Sequence, residues 1–313
     1  MKTHIFHGSC GRTDVAWMGC FYQNYTNVLG LQNHLSIIFI SSTICDMSKP
    51  ALMNVALMAA RLGSRELEFA AKKVHAMKIS KKGPTDYVSE ADRKIELLVF
   101  EEIKKFYPEH NFLGEEFGHE INNSNVTWIL DPIDGTTNFI HGYPQFCLSL
   151  ACKVDDVILH AVIIDPTRRE EFTASKGGGA ELNGEKMRAS SLPNLTDSLI
   201  ANSSHEHPNQ SYTFENIATF RALYKHSLTI RRSGCTALDL AYVGAGRLDG
   251  FWGNGLGNWD VAAGMLIAEE AGALTSDFEG NPTYLAGDHV LCAAPKCFKP
   301  MLQAIKSNFT RHA

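Results

Sequence analysis

The run Val126-Thr127-Trp128-Ile129-Leu130 sets the frame for the chain, because it is closed at once by Asp131-Pro132-Ile133-Asp134-Gly135. The apolar run reads as a buried strand. Proline fixes φ and removes a ladder donor, so the strand is expected to stop at Pro132. Asp131 then stands at the strand's mouth, and Asp134, three residues on, aims its carboxylate at the same point. The Ile133 carbonyl is left free to turn elsewhere. Gly135-Thr136-Thr137 opens a short helix, whose first amides and positive dipole end suit a phosphate. One segment thus offers hard oxygen ligands beside an anion cradle.

The surrounding sequence supplies layers for such a strand. Ser48 is a good N-cap and Pro50 suits a first turn. They open an amphipathic helix over 51–77, with an apolar stripe at Leu52, Val55, Ala56, Ala59 and Ala60. Gly83-Pro84 marks a turn. A second helix starts at Ser89, with Asp92 three residues on as a capping-box-like partner, and runs to about Phe106. Strands are expected at 111–113, 146–153, 157–164 and 171–174, and tight turns at Gly177-Gly178-Gly179 and Asn183-Gly184. Further on, strands at 199–201, 228–231 and 290–293 alternate with helices at 235–243, 261–270 and 297–308. This order predicts a layered α/β (α+β) fold. Residues 1–46 differ: they hold only four charged residues, Lys2, Arg12, Asp14 and Asp46, and no clean period. They read as an N-terminal extension or a start-site artefact. Residues 47–313 read as one catalytic domain of two lobes, about 47–190 and 191–313.

Composition excludes several classes. Lys and Arg total 29 against 34 Asp and Glu, a net charge of -5, which argues against a dedicated nucleic-acid binder. The longest apolar run, Leu35 to Cys45, is interrupted by Ser36, Ser41, Ser42 and Thr43, too short for a membrane span. None of the eight cysteines forms a C-x-x-C pair, so a zinc ribbon or thioredoxin motif is out. Reduced thiols and a cytoplasmic location are the simpler expectation.

Carboxylates gather at punctuated places: Asp86 after Pro84, Glu115-Glu116 after Gly114, Asp131 and Asp134, and Asp260 after Trp259. Singly, each has a plain structural reading. Asp260 is a good helix cap, Glu115-Glu116 a solvated turn, and Asp131-Pro132 a strand end. Together they need cations or protons to share a small site. Hard oxygens favour Mg2+ or Mn2+ over zinc, and His205 and His207 sit in a polar loop rather than at ligand spacing. The chemistry that follows is phosphate-ester hydrolysis by a metal-activated water.

Three ordered motifs resemble the signatures of the inositol monophosphatase family: Gly114-Glu115-Glu116, Trp128 to Phe139, and Trp259-Asp260-Val261-Ala262-Ala263-Gly264. The likeness runs from about Met47 to the C-terminus. It is nearest the bacterial inositol-1-monophosphatases, through Arg231-Arg232-Ser233-Gly234 and Ala237 to Val243. The resemblance implies an αβαβα sandwich and a Mg2+-dependent, lithium-sensitive phosphomonoesterase that forms homodimers. Glu115, Asp131 and the Ile133 carbonyl would hold one Mg2+; Asp131, Asp134 and Asp260 a second; Glu115 with waters a weaker third. Thr136 would position the attacking water, with Asp86 accepting from its hydroxyl. The amides of Gly135 and Thr136 would take phosphate oxygens. Lys81 matches a family lysine near the metals, and Gly234 and Cys235 would line the sugar pocket.

The chain departs from that pattern on the alcohol side. Gly253 stands where the family often carries a Glu that holds an inositol hydroxyl, and Asn254 beside it is a candidate substitute. Cys235-Thr236 replaces Ala-Ala or Thr-Ala, and Gly142 replaces a basic residue. The expected activity is hydrolysis of inositol 1-phosphate or a related small sugar phosphate. Alternatives are an accessory role in ribosomal RNA transcription complexes, as for some bacterial members, and a fructose-1,6-bisphosphatase-like activity. Thr137 weighs against the phosphoadenosine and histidinol-phosphate branches.

Overall fold

The computed structural model describes residues 49–74, 79–81, 87–204, 213–282 and 289–309. All of them belong to the compact unit Asp46–Ala313. Helices α1 (Ala51–Ala71) and α2 (Glu90–Lys104) flank a small hairpin, β1 (Ile79–Lys81) with β2 (Tyr87–Ser89). The α1 helix ends six residues before the expected Met77.

An eight-stranded sheet follows, in the order β10-β9-β8-β7-β6-β5-β3-β4. Its strands are β3 (Asn111–Gly114), β4 (Gly118–Glu120), β5 (Val126–Asp134), β6 (Cys147–Val154), β7 (Val157–Asp165), β8 (Glu170–Ser175), β9 (Gly179–Leu182) and β10 (Glu185–Lys186). A second, five-stranded sheet has the order β12-β11-β13-β15-β14. It comprises β11 (Leu199–Ser204), β12 (Thr229–Arg231), β13 (Gly250–Asn254), β14 (Leu274–Ser276) and β15 (His289–Ala293). The remaining helices are α3 (Thr136–Ile140), α4 (Thr213–His226), α5 (Thr236–Gly244), α6 (Asn258–Glu270) and α7 (Pro295–Asn308).

Four apolar clusters define five layers. The first joins α1 and α2 to one face of the large sheet through Ile95, Trp128, Leu130 and Leu148. The second joins the opposite face, through Ile129 and Ala151, to Leu238 of α5 and Leu266 of α6. Trp128 and Leu130 face one way and Ile129 the other, as period-2 alternation requires. A third cluster packs α5 and α6 on the small sheet through Leu240, Met265, Phe251 and Val290. The last covers the outer face of that sheet with Leu223 of α4 and Met301 and Ile305 of α7. The result is the αβαβα sandwich. Helices α5 and α6 come from the C-terminal half of the chain, yet they cover both sheets, so the expected lobes share one central helical layer.

The β5 strand corrects the reading of Pro132. It runs on through Asp134, with a register break between Asp131, opposite Ser149, and Asp134, opposite Cys147. Three residues of β5 span two of β6, which is a bulge. Proline is tolerated there because the ladder is already interrupted and its missing N–H leaves no partner unpaired. The bulge carries the strand one residue past a flat ladder and keeps both aspartates in buried backbone.

Candidate active site

Four carboxylates converge where β5, the turn after β3 and the first turn of α6 meet. Asp131 and Asp134 are only 2% and 7% exposed. Burial pushes the Asp131 carboxyl well above its ordinary range, and the negative charges of Glu115, Asp134 and Asp260 push it the same way. Asp134 is raised to about 6 by burial, partly offset by hydrogen bonds to its charged form. One is the Ala237 N–H at 2.5 Å to Oδ2, and others come from the Cys235 thiol and the backbone of Thr236. The first turn of α5 thus holds Asp134 by its exposed amides. Asp260 stands at the third position of α6 and accepts from the Gly257 N–H at 2.7 Å. Its capping role is therefore real, but it does not exhaust the residue, since Asp260 also acts on Asp131.

The turn expected to face a phosphate is built on glycine. Gly135 has φ +89°, and a Cβ there would lie 2.8 Å from the Gln145 carbonyl and 3.1 Å from that of Gly234. Only glycine lets the chain turn this closely from β5 into α3. Asn138 ties the surrounding loops together, donating to the carbonyls of Gln145 at 2.7 Å and Ser233 at 2.9 Å. Gly142 (φ +67°) sits in the left-handed conformation just past the α3 C-cap, a chain-terminating role. The Thr136 hydroxyl donates to the Ile133 carbonyl at 2.9 Å and lies 3.3 Å from Asp92 Oδ1. That carbonyl keeps a second lone pair, so Thr136 does not preclude it as a cation ligand.

Asp92 is the residue that the sequence reading missed. It is fully buried in the first turn of α2, and its carboxylate reaches Thr136 rather than serving only as a cap. Asp86, expected in that place, lies outside the described residues, as do His205 and His207. The signal was present: Asp92 and Glu96 fall on the same stripe as Ile95, Val99 and Ile103, the buried face of α2. Of Lys81, the structure describes the backbone at the end of β1.

On the alcohol side, Gly234 (φ +78°) packs against Asn138. The Cys235 side chain is fully buried, with its sulfur 3.3 Å from Asp134 Oδ2 and 3.7 Å from that of Cys147. Asp134, Cys147 and Cys235 lie close enough to suggest a soft-metal site. Burial raises Cys147 to about 11 and Cys235 well above its usual value, so both stay protonated and Cys235 acts as a donor to Asp134. Asn254 does not take the role expected of it. Side chains alternate along β13, so Asn254 shares the face of Trp252, in the outer α4–α7 layer, and faces away from Gly253. It is fully buried, and neither polar atom of its side chain has a hydrogen-bond partner. A Cβ at Gly253 would lie 2.6 Å from the Ser203 carbonyl and 2.7 Å from Leu256 Cδ1. Nothing longer than glycine fits there without a backbone shift.

The donor set fits a hard divalent cation: carboxylate oxygens, buried, mutually repelling and next to a backbone carbonyl. A cleft of about 650 Å³ beside the β3–β4 edge, lined by residues such as His119, Lys153 and Lys176, includes none of these carboxylates.

Fold and donor set together define a metal-assisted phosphatase. A model of the inositol monophosphatase family matches residues 48–309. Nus factor SuhB of Pseudomonas aeruginosa is 42% identical over 82% of this chain and 96% of its own length. An inositol-1-monophosphatase of Mesorhizobium japonicum is 40% identical over 83% of this chain and 98% of its own. The crystal structure of the extragenic suppressor protein suhB from Bartonella henselae superposes with a TM-score of 0.79. It is 39% identical and covers 82% of this chain and 99% of that one. The chain belongs to the inositol monophosphatase family, a family of metal-dependent phosphatases acting on small phosphate esters. Among the described residues no helix is long and apolar enough to cross a membrane.

Proposed function

We propose that the chain hydrolyses inositol 1-phosphate or a related small sugar phosphate, using two or three Mg2+ ions. Glu115, Asp131, the Ile133 carbonyl, Asp134 and Asp260 hold the ions. The bound ions supply charge neutralisation at the phosphate and a water of lowered pKa. Thr136 would orient the attacking water, and Asp92 lies 3.3 Å from the Thr136 hydroxyl, in the place first expected of Asp86. The amides of Gly135 and Thr136 receive phosphate oxygens as charge builds on them. Lys81 matches a family lysine near the metals, and the backbone of Gly234 and Cys235 borders the alcohol. Asn254 drops out of the substrate site because it faces the other side of its strand.

The observation that carries this reading is the convergence of the negative charges of Glu115, Asp134 and Asp260 on the buried Asp131. A panel of sugar phosphates ranked by phosphate release in Mg2+ tests it. Release from inositol 1-phosphate is expected; a panel with no release in Mg2+ overturns it. Gly253 supplies no carboxylate to an inositol hydroxyl, so weak discrimination among polyol phosphates is expected.

A second reading is favoured by one finding: several relatives carry the name Nus factor SuhB. On that reading the chain also serves a transcription complex through protein contacts, its net charge of -5 disfavouring direct RNA binding. Assembly as a homodimer and a cytoplasmic location belong to the same proposal. The 47–313 segment is proposed as the catalytic domain, with residues 1–46 as an extension.

A further inference from the structure

The turn that carries Glu115 is held by a residue to which no role has yet been given. Glu96 lies one helical turn after Asp92 on α2 and is fully buried. Its Oε2 accepts from the Glu116 N–H at 2.9 Å and its Oε1 from the Phe117 N–H at 2.8 Å. The Glu115 N–H itself donates to the Leu130 carbonyl at 3.3 Å, the residue directly before Asp131. Three consecutive amides are therefore fixed, the first to β5 and the next two to one carboxylate. A Cβ at Gly114 would collide with the Glu96 carboxylate, so the glycine before Glu115 makes room for this clamp. The chemistry is specific to a carboxylate. Two parallel N–H donors need two acceptors; glutamine would set an NH2 against one N–H, and aspartate is one methylene too short.

We propose that Glu96 is a positioning residue: by clamping the amides of residues 116 and 117 it fixes the direction of Glu115 and sets how tightly the site holds its divalent cation. The proposal rests on the reading of Glu115 as a cation ligand. On this account α2 serves both halves of the chemistry from one face. Asp92 sets Thr136, and Glu96 sets Glu115. Groups that orient a ligand act on affinity, because the ligand carboxylate must otherwise be ordered at binding.

The test uses the full chain and Mn2+ as the probe, with free Mn2+ read by electron paramagnetic resonance. Glu96→Gln and Glu96→Asp are each expected to weaken Mn2+ binding by about 10–100-fold. In phosphate release, the Mg2+ concentration for half-maximal rate rises in parallel, while kcat at saturating Mg2+ and KM for the substrate stay near wild type. Asp92→Asn gives the opposite split, with lowered kcat and unchanged Mn2+ affinity. The proposal is overturned if a folded Glu96 variant binds Mn2+ like wild type while its melting temperature falls, for Glu96 then only closes a turn. Loss of folding in both variants also counts against it, making Glu96 a folding residue. If the wild type itself binds no Mn2+, the cation-site reading fails instead, so the two failures are distinct.

Discussion

The first turn of α5 touches the end of β5 directly and reaches the end of β13 through its neighbour strand β11, and the two ends are built from opposite materials. β5 ends in Asp131 and Asp134, the latter held by the Ala237 amide. β13 ends in Gly253 and Asn254, beside Ser203, whose hydroxyl accepts from Thr236 at 3.1 Å. One end concentrates buried charge that a cation must neutralise. The other removes a side chain and closes the space with backbone. On the proposed reading, chemistry and selectivity are carried by different strands, and one can change while the other is kept.

The largest effect should come from the β5 end. Asp131→Asn is expected to lower kcat by about 10²–10³-fold, the scale of losing a preorganised electrostatic group. The metal-free protein should melt higher, because four crowded like charges become three. A metal-free melting curve that drops would break the claim that charge crowding marks this end. Next, Asp92→Asn should lower kcat by about 10–100-fold with Mg2+ half-saturation unchanged. Steady-state kinetics across Mg2+ concentrations check the split.

These two residues also show what could be read from sequence and what could not. Asp131 and Asp134 were legible because a contiguous apolar run and a proline place them at a strand end. Asp92 was not, since an acid in the first turn of a helix is ordinarily a cap, and only its place on the buried stripe of α2 says otherwise. Pro132 misled in the reverse sense: it signals termination in a flat ladder but is accommodated by a bulge. The α4 helix escaped notice because few of its residues are buried, Glu215, Thr219 and Leu223 among them, while Phe214, Ile217 and Tyr224 are exposed. Its apolar pattern points outward and gives no core-facing stripe. The five layers were foreseen through family likeness; the sharing of α5 and α6 by both sheets needs the tertiary contacts.

Smaller effects belong to the β13 end. Gly253→Ala should destabilise by about 1–3 kcal/mol through overpacking against Ser203 and Leu256, seen as a lower midpoint in urea. Asn254→Leu should stabilise by about 1–3 kcal/mol, since it removes two buried polar atoms that have no partner. Its kinetics should match wild type because it faces the α4–α7 layer. A changed KM in that variant would return Asn254 to the substrate pocket.

The last effect is a pH dependence, read in stability rather than in rate. Burial raises Asp239 to about 8, although the Ser233 hydroxyl donates to it at 2.8 Å. A carboxyl with a raised folded-state pKa gives stability that is full below its unfolded value and is lost as pH rises through the folded one. Asp239→Asn, which keeps an acceptor for Ser233, should therefore gain on wild type as pH climbs from about 4 to about 8. Melting temperatures of the two proteins across that range should diverge; parallel curves would contradict the assignment.

The most direct measurement is phosphate release from inositol 1-phosphate by the purified full chain, with and without Mg2+, for wild type and Asp131→Asn. Release that requires Mg2+, stops on chelation, returns on re-addition and collapses in Asp131→Asn is the predicted result. Release that persists without a divalent cation, or that survives Asp131→Asn unchanged, would contradict the account.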